Sequence, residues 1–151
     1  MMARTHIAFG LLTAAILHPY LGGDPFIFYL LILLGVLLPD IDHQSSSINK
    51  LMPITNILPH IFAHRGIFHS VFPAAGLMLL FSIFSRQEYG IYLAMGYLAH
   101  LASDALTKMG VNLLYPVVKI KIRGPVTTGT HQETVVCAIV MAVTIGVWVV
   151  V

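Results

Sequence analysis

The sequence predicts an all-α, polytopic membrane helix bundle of about five transmembrane helices, folded as a single integral membrane domain over residues 1–151. Two observations lead to this fold class. Hydrophobic residues make up 58% of the chain and charged residues only 9%, whereas a soluble domain carries roughly 25% charged residues. The few charges are also far apart, so that long uncharged stretches separate them. So few charges could not cover a water-exposed surface, and a lipid bilayer is therefore the predicted environment.

The uncharged stretches are the candidate transmembrane helices. A helix rises about 1.5 Å per residue and needs about 20 residues to cross ~30 Å of hydrocarbon. The second and fourth stretches are short, and they reach this length only if the polar residues at their ends, Asp40 and Asp104, also lie inside the protein. The stretches without Asp, Glu, Lys or Arg are residues 5–23, 25–39, 66–85, 89–103 and 134–151.

The distribution of Lys and Arg predicts the orientation of these helices. With five crossings, the N-terminus and the loops around residues 40–65 and 104–133 share one side, and that side carries seven of the eight basic residues. The other side has Arg86 alone, next to Glu88. The positive-inside rule therefore predicts a multi-pass protein of the cell (inner) membrane whose N-terminus and long loops are cytoplasmic.

Charge and cysteine content exclude several classes of function. The net charge of +2 and the lack of a basic run argue against nucleic-acid binding. Cys137 is the only cysteine, which excludes an internal disulfide and a cysteine-rich metal cluster. Histidine is the exception in this composition, because the eight histidines outnumber the six acidic residues.

Most of the ionisable residues fall at span ends that the predicted topology places at the cytoplasmic face. Residues that only solubilise the helix ends should divide more evenly between the two faces, and charged groups at membrane depth usually mark functional sites. Imidazole and carboxylate groups together suit zinc, manganese or iron. Taken singly, each residue could instead be an interfacial anchor, a helix cap or a stop-transfer charge. The residues of this predicted cytoplasmic-face polar cluster are His6, Asp40, Asp42, His43, His64, His69, His100, Asp104 and Glu133.

Local spacing supports a shared site. His100 and Asp104 are four residues apart, so on a helix they project from one face. Pro39 is expected to end or bend the second helix. If the chain is extended beyond it, Asp40 and Asp42 point to the same side.

The segment at 64–70 is predicted to be a turn that enters the third helix. Gly66 permits a tight turn, and Ser70 is placed near a helix start. His64 and His69 are five residues apart, a spacing that suits such a turn better than one helical face.

The loop at 108–133 is predicted to contain a short β-like hairpin. Residues 117–123 alternate apolar and basic side chains, and residues 126–128 could form the return strand after Gly124 and Pro125. The basic face of this hairpin could bind anionic headgroups. It could equally be a solvated edge that keeps the loop cytoplasmic.

Several motifs, in order along most of the chain, resemble the YdjM-like family of small bacterial and archaeal integral membrane proteins, described as predicted metal-dependent hydrolases. That family is considered remotely similar to zinc-dependent phospholipase C and P1 nuclease, helical enzymes that bind several zinc ions through His and Asp. The resemblance implies phosphodiester hydrolysis. Phe68 departs from the family pattern, which commonly has Thr at this position. The matching features are His6, LLPDIDH at 37–43, HRGIFHS at 64–70, GYLAHLASDALT at 96–107, GVNLLYP at 110–116 and the Gly129-x-x-x-Glu133 pattern.

These observations predict a membrane-bound metal-dependent hydrolase that acts on a phosphoester, phospholipid-like, at the cytoplasmic face. The cofactor is expected to be Zn²⁺, with Mn²⁺ as the alternative, and the candidates outnumber the three ligands that one catalytic zinc needs, which allows a second ion. Asp42 or Glu133 would be the general base or support a ligand, and Arg65 would face the substrate phosphate. The predicted metal ligands are His6, Asp40, His64, His69, His100 and Asp104.

Two other classes of function are compatible with the same residues. A metal-ion or proton transporter should carry polar residues through the midplane, whereas the inner parts of most spans are apolar here. A non-catalytic structural membrane protein should tolerate substitution of the polar cluster. In each class the membrane lipid is the environment of the protein, and for the hydrolase it is also a possible substrate.

Overall fold

The computed structural model describes residues 1–42 and 66–150. Within these ranges the chain forms five α-helices and no β-strand, so the predicted all-α class is confirmed. The described residues also form two short 3₁₀ segments, the 38–42 turn (Leu38–Asp42) and the 67–69 turn (Ile67–His69). The helices are α1 (Ala3–Leu21), α2 (Pro25–Leu37), α3 (Phe72–Ile83), α4 (Gln87–Ala105) and α5 (His131–Val150).

The α1–α2 connection reverses the chain within a few residues. Gly22 ends α1 with a φ of 65°, a conformation that glycine adopts without strain, and its N–H donates to the His18 carbonyl. Asp24 begins α2 by accepting a hydrogen bond from the Ile27 N–H at 2.9 Å, and Pro25 occupies the first helical position. These end signals hold α1 and α2 as adjacent helices.

Helix α4 lies at the centre of the bundle. It contacts α1, α2 and α3, whereas α5 packs against α1. Two apolar clusters form the core. One contains Tyr97 and Leu101 of α4 with Ala74 of α3, and the other contains Tyr92 of α4 with Phe28 of α2. The middle of the described bundle is therefore apolar.

Helices α2 and α4 approach each other backbone to backbone. A Cβ added to Gly35 would overlap the Leu93 carbonyl, and one added to Gly96 would overlap the Ile32 carbonyl. Small residues at such crossings are what permit helices to pack this closely in a membrane. The two glycines therefore set the separation of α2 and α4.

Among the described helices, α5 alone is long and apolar enough to cross a membrane by itself. Only 17% of its most apolar window is buried inside the protein, so most of the helix is available to lipid. The apolar segments Pro25–Asp40 and Phe72–Ile83 are shorter, and α1 and α4 have 19 residues each but lower hydropathy. The five crossings predicted from the sequence stay a prediction.

The chain beyond α2 differs from the expectation. Helix α2 ends before Pro39, as predicted, and the following residues form a 3₁₀ turn, so the condition of an extended chain under which Asp40 and Asp42 would point to the same side is not met. The reason is local, because Leu38 keeps helical angles (φ −59°, ψ −42°) and its N–H still donates to Gly35 and Leu34. The chain therefore continues from the α-helix into a tighter 3₁₀ helix and does not become extended.

The predicted hairpin within 108–133 is not confirmed in the described chain. Ile122 forms an antiparallel bridge with Val111, and Val126 forms a parallel bridge with Thr107. The backbone groups that a hairpin would pair with each other are used instead to bind the segment that leaves α4. Gly124 follows the same pattern, since its N–H donates to the Thr107 carbonyl at 3.0 Å.

We expect Gly96→Ala to destabilise the protein by about 1–3 kcal/mol, the usual cost of overpacking, because its methyl group would meet the α2 backbone. The matched control is Gly76→Ala in α3, where a Cβ would meet nothing within 4 Å. Thermal unfolding of both variants in detergent is the measurement. Equal melting temperatures would contradict the backbone contact between α2 and α4.

Candidate metal centre

Five of the predicted site residues meet at one end of the bundle. His6 comes from the first turns of α1, Asp40 from the 38–42 turn, His69 from the 67–69 turn, and His100 and Asp104 from the last turns of α4. Their ligand atoms form two overlapping groups that share His100, and within each group all atoms lie within 4.8 Å of one another. Four of these side chains are buried, and Asp40 is 30% exposed.

The distances between these side chains have the scale of ligands around a common ion. His6 Nε2 lies 3.6 Å from Asp104 Oδ1, and His100 Nε2 lies 3.7 Å from Asp40 Oδ1 and 3.8 Å from Asp104 Oδ2. His69 Nε2 is 3.8 Å from both carboxylates. These distances exceed the ~3.2 Å of a hydrogen bond and approach the roughly 3.4 Å that separates two ligands of a tetrahedral zinc.

Hydrogen bonds to the other ring nitrogens orient two of the histidines. His100 Nδ1 lies 2.7 Å from the Val36 carbonyl, so we assign a proton to Nδ1. The Ser103 hydroxyl donates to the His100 carbonyl at 2.7 Å and must therefore accept from His6 Nδ1, also at 2.7 Å. When these rings are neutral, Nε2 carries the lone pair and faces the carboxylates, as in metal-ligating histidines. The two rings stack with centroids 3.8 Å apart.

The 67–69 turn holds His69 in the cluster. The Ser70 hydroxyl donates to the Ile67 carbonyl at 2.6 Å and closes the turn. From α4, the Tyr97 hydroxyl donates to the Phe68 carbonyl. The backbone at Phe68 is thus anchored by a neighbouring helix, and the position of His69 does not depend on a hydroxyl side chain at residue 68.

Glu133 is buried at the start of α5 and its carboxylate accepts three hydrogen bonds. The donors are the Met2 N–H at 2.6 Å, the Thr5 hydroxyl at 2.9 Å and the Gly129 N–H at 2.6 Å. Glu133 is not part of either group of clustered ligand atoms in the described chain. These contacts attach the residues beside His6 to α5.

The remaining predicted residues divide into two sets. His43, His64 and Arg65 lie outside the described residues, and Asp42 is described only as the last backbone position of the 38–42 turn. His18 is not among the predicted site residues, and its ring packs against Phe28 with centroids 5.1 Å apart, away from the cluster.

Sequence reasoning missed two residues that orient the cluster, Ser103 and Tyr97. Ser103 could have been found from its spacing, since it lies three residues after His100 and directly before Asp104. Tyr97 carries no comparable signal, because its partner is a backbone carbonyl on a distant segment.

We expect Ser103→Ala to weaken metal binding by about 10–100-fold, the usual effect of removing a group that orients a metal-ligating histidine. The variant frees His6 Nδ1 and so removes the preference for the lone pair on Nε2. Ser82→Ala is the matched control, because the Ser82 hydroxyl donates to the Met78 carbonyl in α3 and touches no cluster residue. Titration with Zn²⁺ measures both affinities, and unchanged affinity in Ser103→Ala would contradict this orienting role.

Comparison with known proteins gives a consistent family assignment. A family model described as YdjM inner membrane protein matches residues 1–151. YvsG of Bacillus subtilis is 30% identical over 146 residues, which cover 91% of this chain and 88% of that protein. The inner membrane protein YdjM of Escherichia coli is 32% identical over 115 residues, covering 70% of this chain and 58% of the relative. No solved structure matches the chain. The chain belongs to the YdjM family of inner membrane proteins.

Proposed function

We propose that this protein is a membrane-bound, metal-dependent hydrolase that acts on a phosphoester, and that Zn²⁺ is its metal. The observation that carries the proposal is the convergence of three imidazole nitrogens on two carboxylates at distances of 3.6–3.8 Å. Three imidazoles with two carboxylates form a donor set that suits zinc, manganese or iron.

The charge balance of the cluster fits a divalent cation. Asp40 and Asp104 face the same histidine nitrogens, and Asp104 is 1% exposed. Two carboxylates held this close repel each other unless cations compensate them. The N-terminal ammonium of Met1 lies 2.5 Å from Asp104 Oδ1, and a divalent ion would supply the charge that compensates Asp40 as well. With the ring of His100 oriented by Val36, its lone pair adds a neutral ligand rather than a second positive charge.

A bound divalent ion would supply Lewis acidity and activate water for attack on the phosphorus. The chain provides access to it on one side, because the Asp40 side chain is 30% exposed whereas the other described cluster side chains are at most 3% exposed. Asp42, two residues after Asp40 in the sequence, is proposed as the general base. Arg65, which precedes His69 in sequence, is proposed to bind the substrate phosphate.

The position of the cluster favours a lipid-like substrate. The N-terminal part of α1 and the start of α5 are joined by Glu133, so the cluster lies at the level where the apolar α5 begins. That level corresponds to the headgroup region of a bilayer if α5 spans it. We propose that the protein crosses the membrane several times with its N-terminus and this site at the cytoplasmic face.

The apolar core argues against the transporter alternative. A path for an ion through the bundle would need polar groups between the cluster and the opposite end. The described interior between α1, α2 and α4 contains Ala14, Phe28, Ile32 and Tyr92, which pack together and have at most 5% exposure. The polar cluster is therefore confined to one end of the described bundle.

The metal is tested by elemental analysis of purified protein after chelation and reloading with Zn²⁺. Asp104→Asn and His100→Ala should each lose bound metal, because each removes a ligand of the cluster. His18→Ala should keep the parent metal content, since its ring packs on Phe28 at a distance from the cluster. The same zinc content in the three variants would refute the ligand assignment.

Activity is tested with a generic phosphodiester and with phospholipid in mixed micelles. Chelation should abolish hydrolysis and Zn²⁺ or Mn²⁺ should restore it. Asp42→Asn should retain metal but be slower by about 10²–10⁴-fold, the usual contribution of a general base. If the metal-loaded protein hydrolyses no phosphoester and instead moves the ion across vesicle membranes, the protein is a transporter and the hydrolase proposal is wrong.

Glu133→Gln distinguishes a supporting carboxylate from a general base. The amide nitrogen of Gln cannot accept the Gly129 N–H, and the lost hydrogen bond should destabilise the protein by about 1–3 kcal/mol. The rate of the folded variant should stay close to that of the parent. A stable variant with a rate lower by about 10²-fold or more would instead make Glu133 the base.

A further inference from the structure

The loop between α4 and α5 lies next to the start of the membrane-crossing helix. It leaves α4 after Ala105, is bound to the end of that helix by the Thr107–Val126 and Val111–Ile122 bridges, and returns to α5 at His131. Helix α5 is apolar, and most of it is exposed on the protein surface. A loop that ends where such a helix begins lies at the surface of the bilayer.

Large apolar side chains on this loop point away from the protein. Val117 is 76% exposed and Ile120 is 71% exposed, and both lie in the part of the loop closed by the Val111–Ile122 bridge. Met109, Leu114 and Ile122 are exposed as well. Exposed apolar groups at this density mark a surface that contacts a membrane or another molecule.

The charged residues on the same loop are all basic. Lys108, Lys119, Lys121 and Arg123 are exposed, and residues 105–132 contain no Asp or Glu. Basic groups that alternate with exposed apolar groups are typical of segments that lie in the interface of an anionic membrane. A merely solvated edge would carry the charges without the exposed Val117 and Ile120.

We propose that residues 108–123 form a lipid-binding surface for anionic phospholipids, in which Val117 and Ile120 enter the region below the headgroups. Lys119, Lys121 and Arg123 would bind the headgroup phosphates. Charge complementarity selects this occupant, because the loop offers positive charge and apolar surface together and has no acidic residue that would repel the membrane. The surface is independent of the metal centre and goes beyond the proposed hydrolysis.

The test uses the full chain reconstituted into vesicles and a single tryptophan as reporter. Trp148 is the only tryptophan in the chain, so Trp148→Phe with Ile120→Trp moves the indole to the loop. We expect phospholipids brominated near the headgroup to quench this indole more strongly than phospholipids brominated near the chain ends. Trp148→Phe with Val117→Trp repeats the measurement at the second exposed position.

The preference for anionic headgroups is tested in vesicles that contain both phosphatidylcholine and phosphatidylglycerol, with one or the other lipid brominated. Brominated phosphatidylglycerol should quench the indole more strongly. Lys119→Gln and Lys121→Gln should each lower this preference by roughly fivefold, the contribution of one basic residue near an anionic surface. Arg86→Gln is the control, because it removes the same charge from the opposite end of α4.

Two results would overturn the proposal. If aqueous iodide quenches the indole at both loop positions and neither brominated lipid does, the loop is solvated or binds a protein instead. If both lipids quench equally in the variants that keep all basic residues, the surface does not select anionic headgroups.

Discussion

The contact between the backbones of α2 and α4 fixes much of the geometry at the candidate metal centre. Gly35 and Gly96 allow the two helices to touch, and a single Cβ at either position would push them apart. This close approach places the Val36 carbonyl 2.7 Å from His100 Nδ1 and so directs Nε2 to the carboxylates. Asp40 lies four residues beyond Val36 in the 38–42 turn, and its Oδ1 is 3.7 Å from His100 Nε2. One packing contact thus positions ligands from two elements.

A second set of contacts connects the metal centre to the helix that crosses the membrane. Glu133 of α5 accepts hydrogen bonds from Met2 and Thr5, and the Met1 nitrogen lies 2.5 Å from Asp104 Oδ1. These bonds hold the first turn of α1 in place, and His6 in that turn faces the cluster. Because α5 packs on α1 and has few other contacts, Glu133 is also what aligns a lipid-facing helix with the site.

Local sequence pattern predicted the helices and part of the cluster. The uncharged stretches located the helix ends within three residues, except that α3 begins six residues after the start of its predicted stretch. The four-residue spacing of His100 and Asp104 correctly predicted one helical face. The 38–42 turn is a local continuation of α2, which the proline at residue 39 does not reveal. The loop bridges were not predictable, because each depends on backbone bonds whose partners lie elsewhere in the chain. The same limit applies to Gly35 and Gly96, which look like ordinary glycines of an apolar helix until the facing helix is known.

The use of acidic residues strengthens the case for a cation. The chain has six acidic residues, and three of them, Asp40, Asp104 and Glu133, lie in the cluster or in the contacts that support it. Glu133 is stabilised by three hydrogen-bond donors from the protein. Asp104 Oδ1 lies 2.5 Å from the N-terminal ammonium of Met1, and both Asp104 and Asp40 face the nitrogens of His69 and His100 at 3.7–3.8 Å. In the proposed function, a divalent ion held by the three ring nitrogens would add to the charge of the Met1 ammonium and compensate both carboxylates at once.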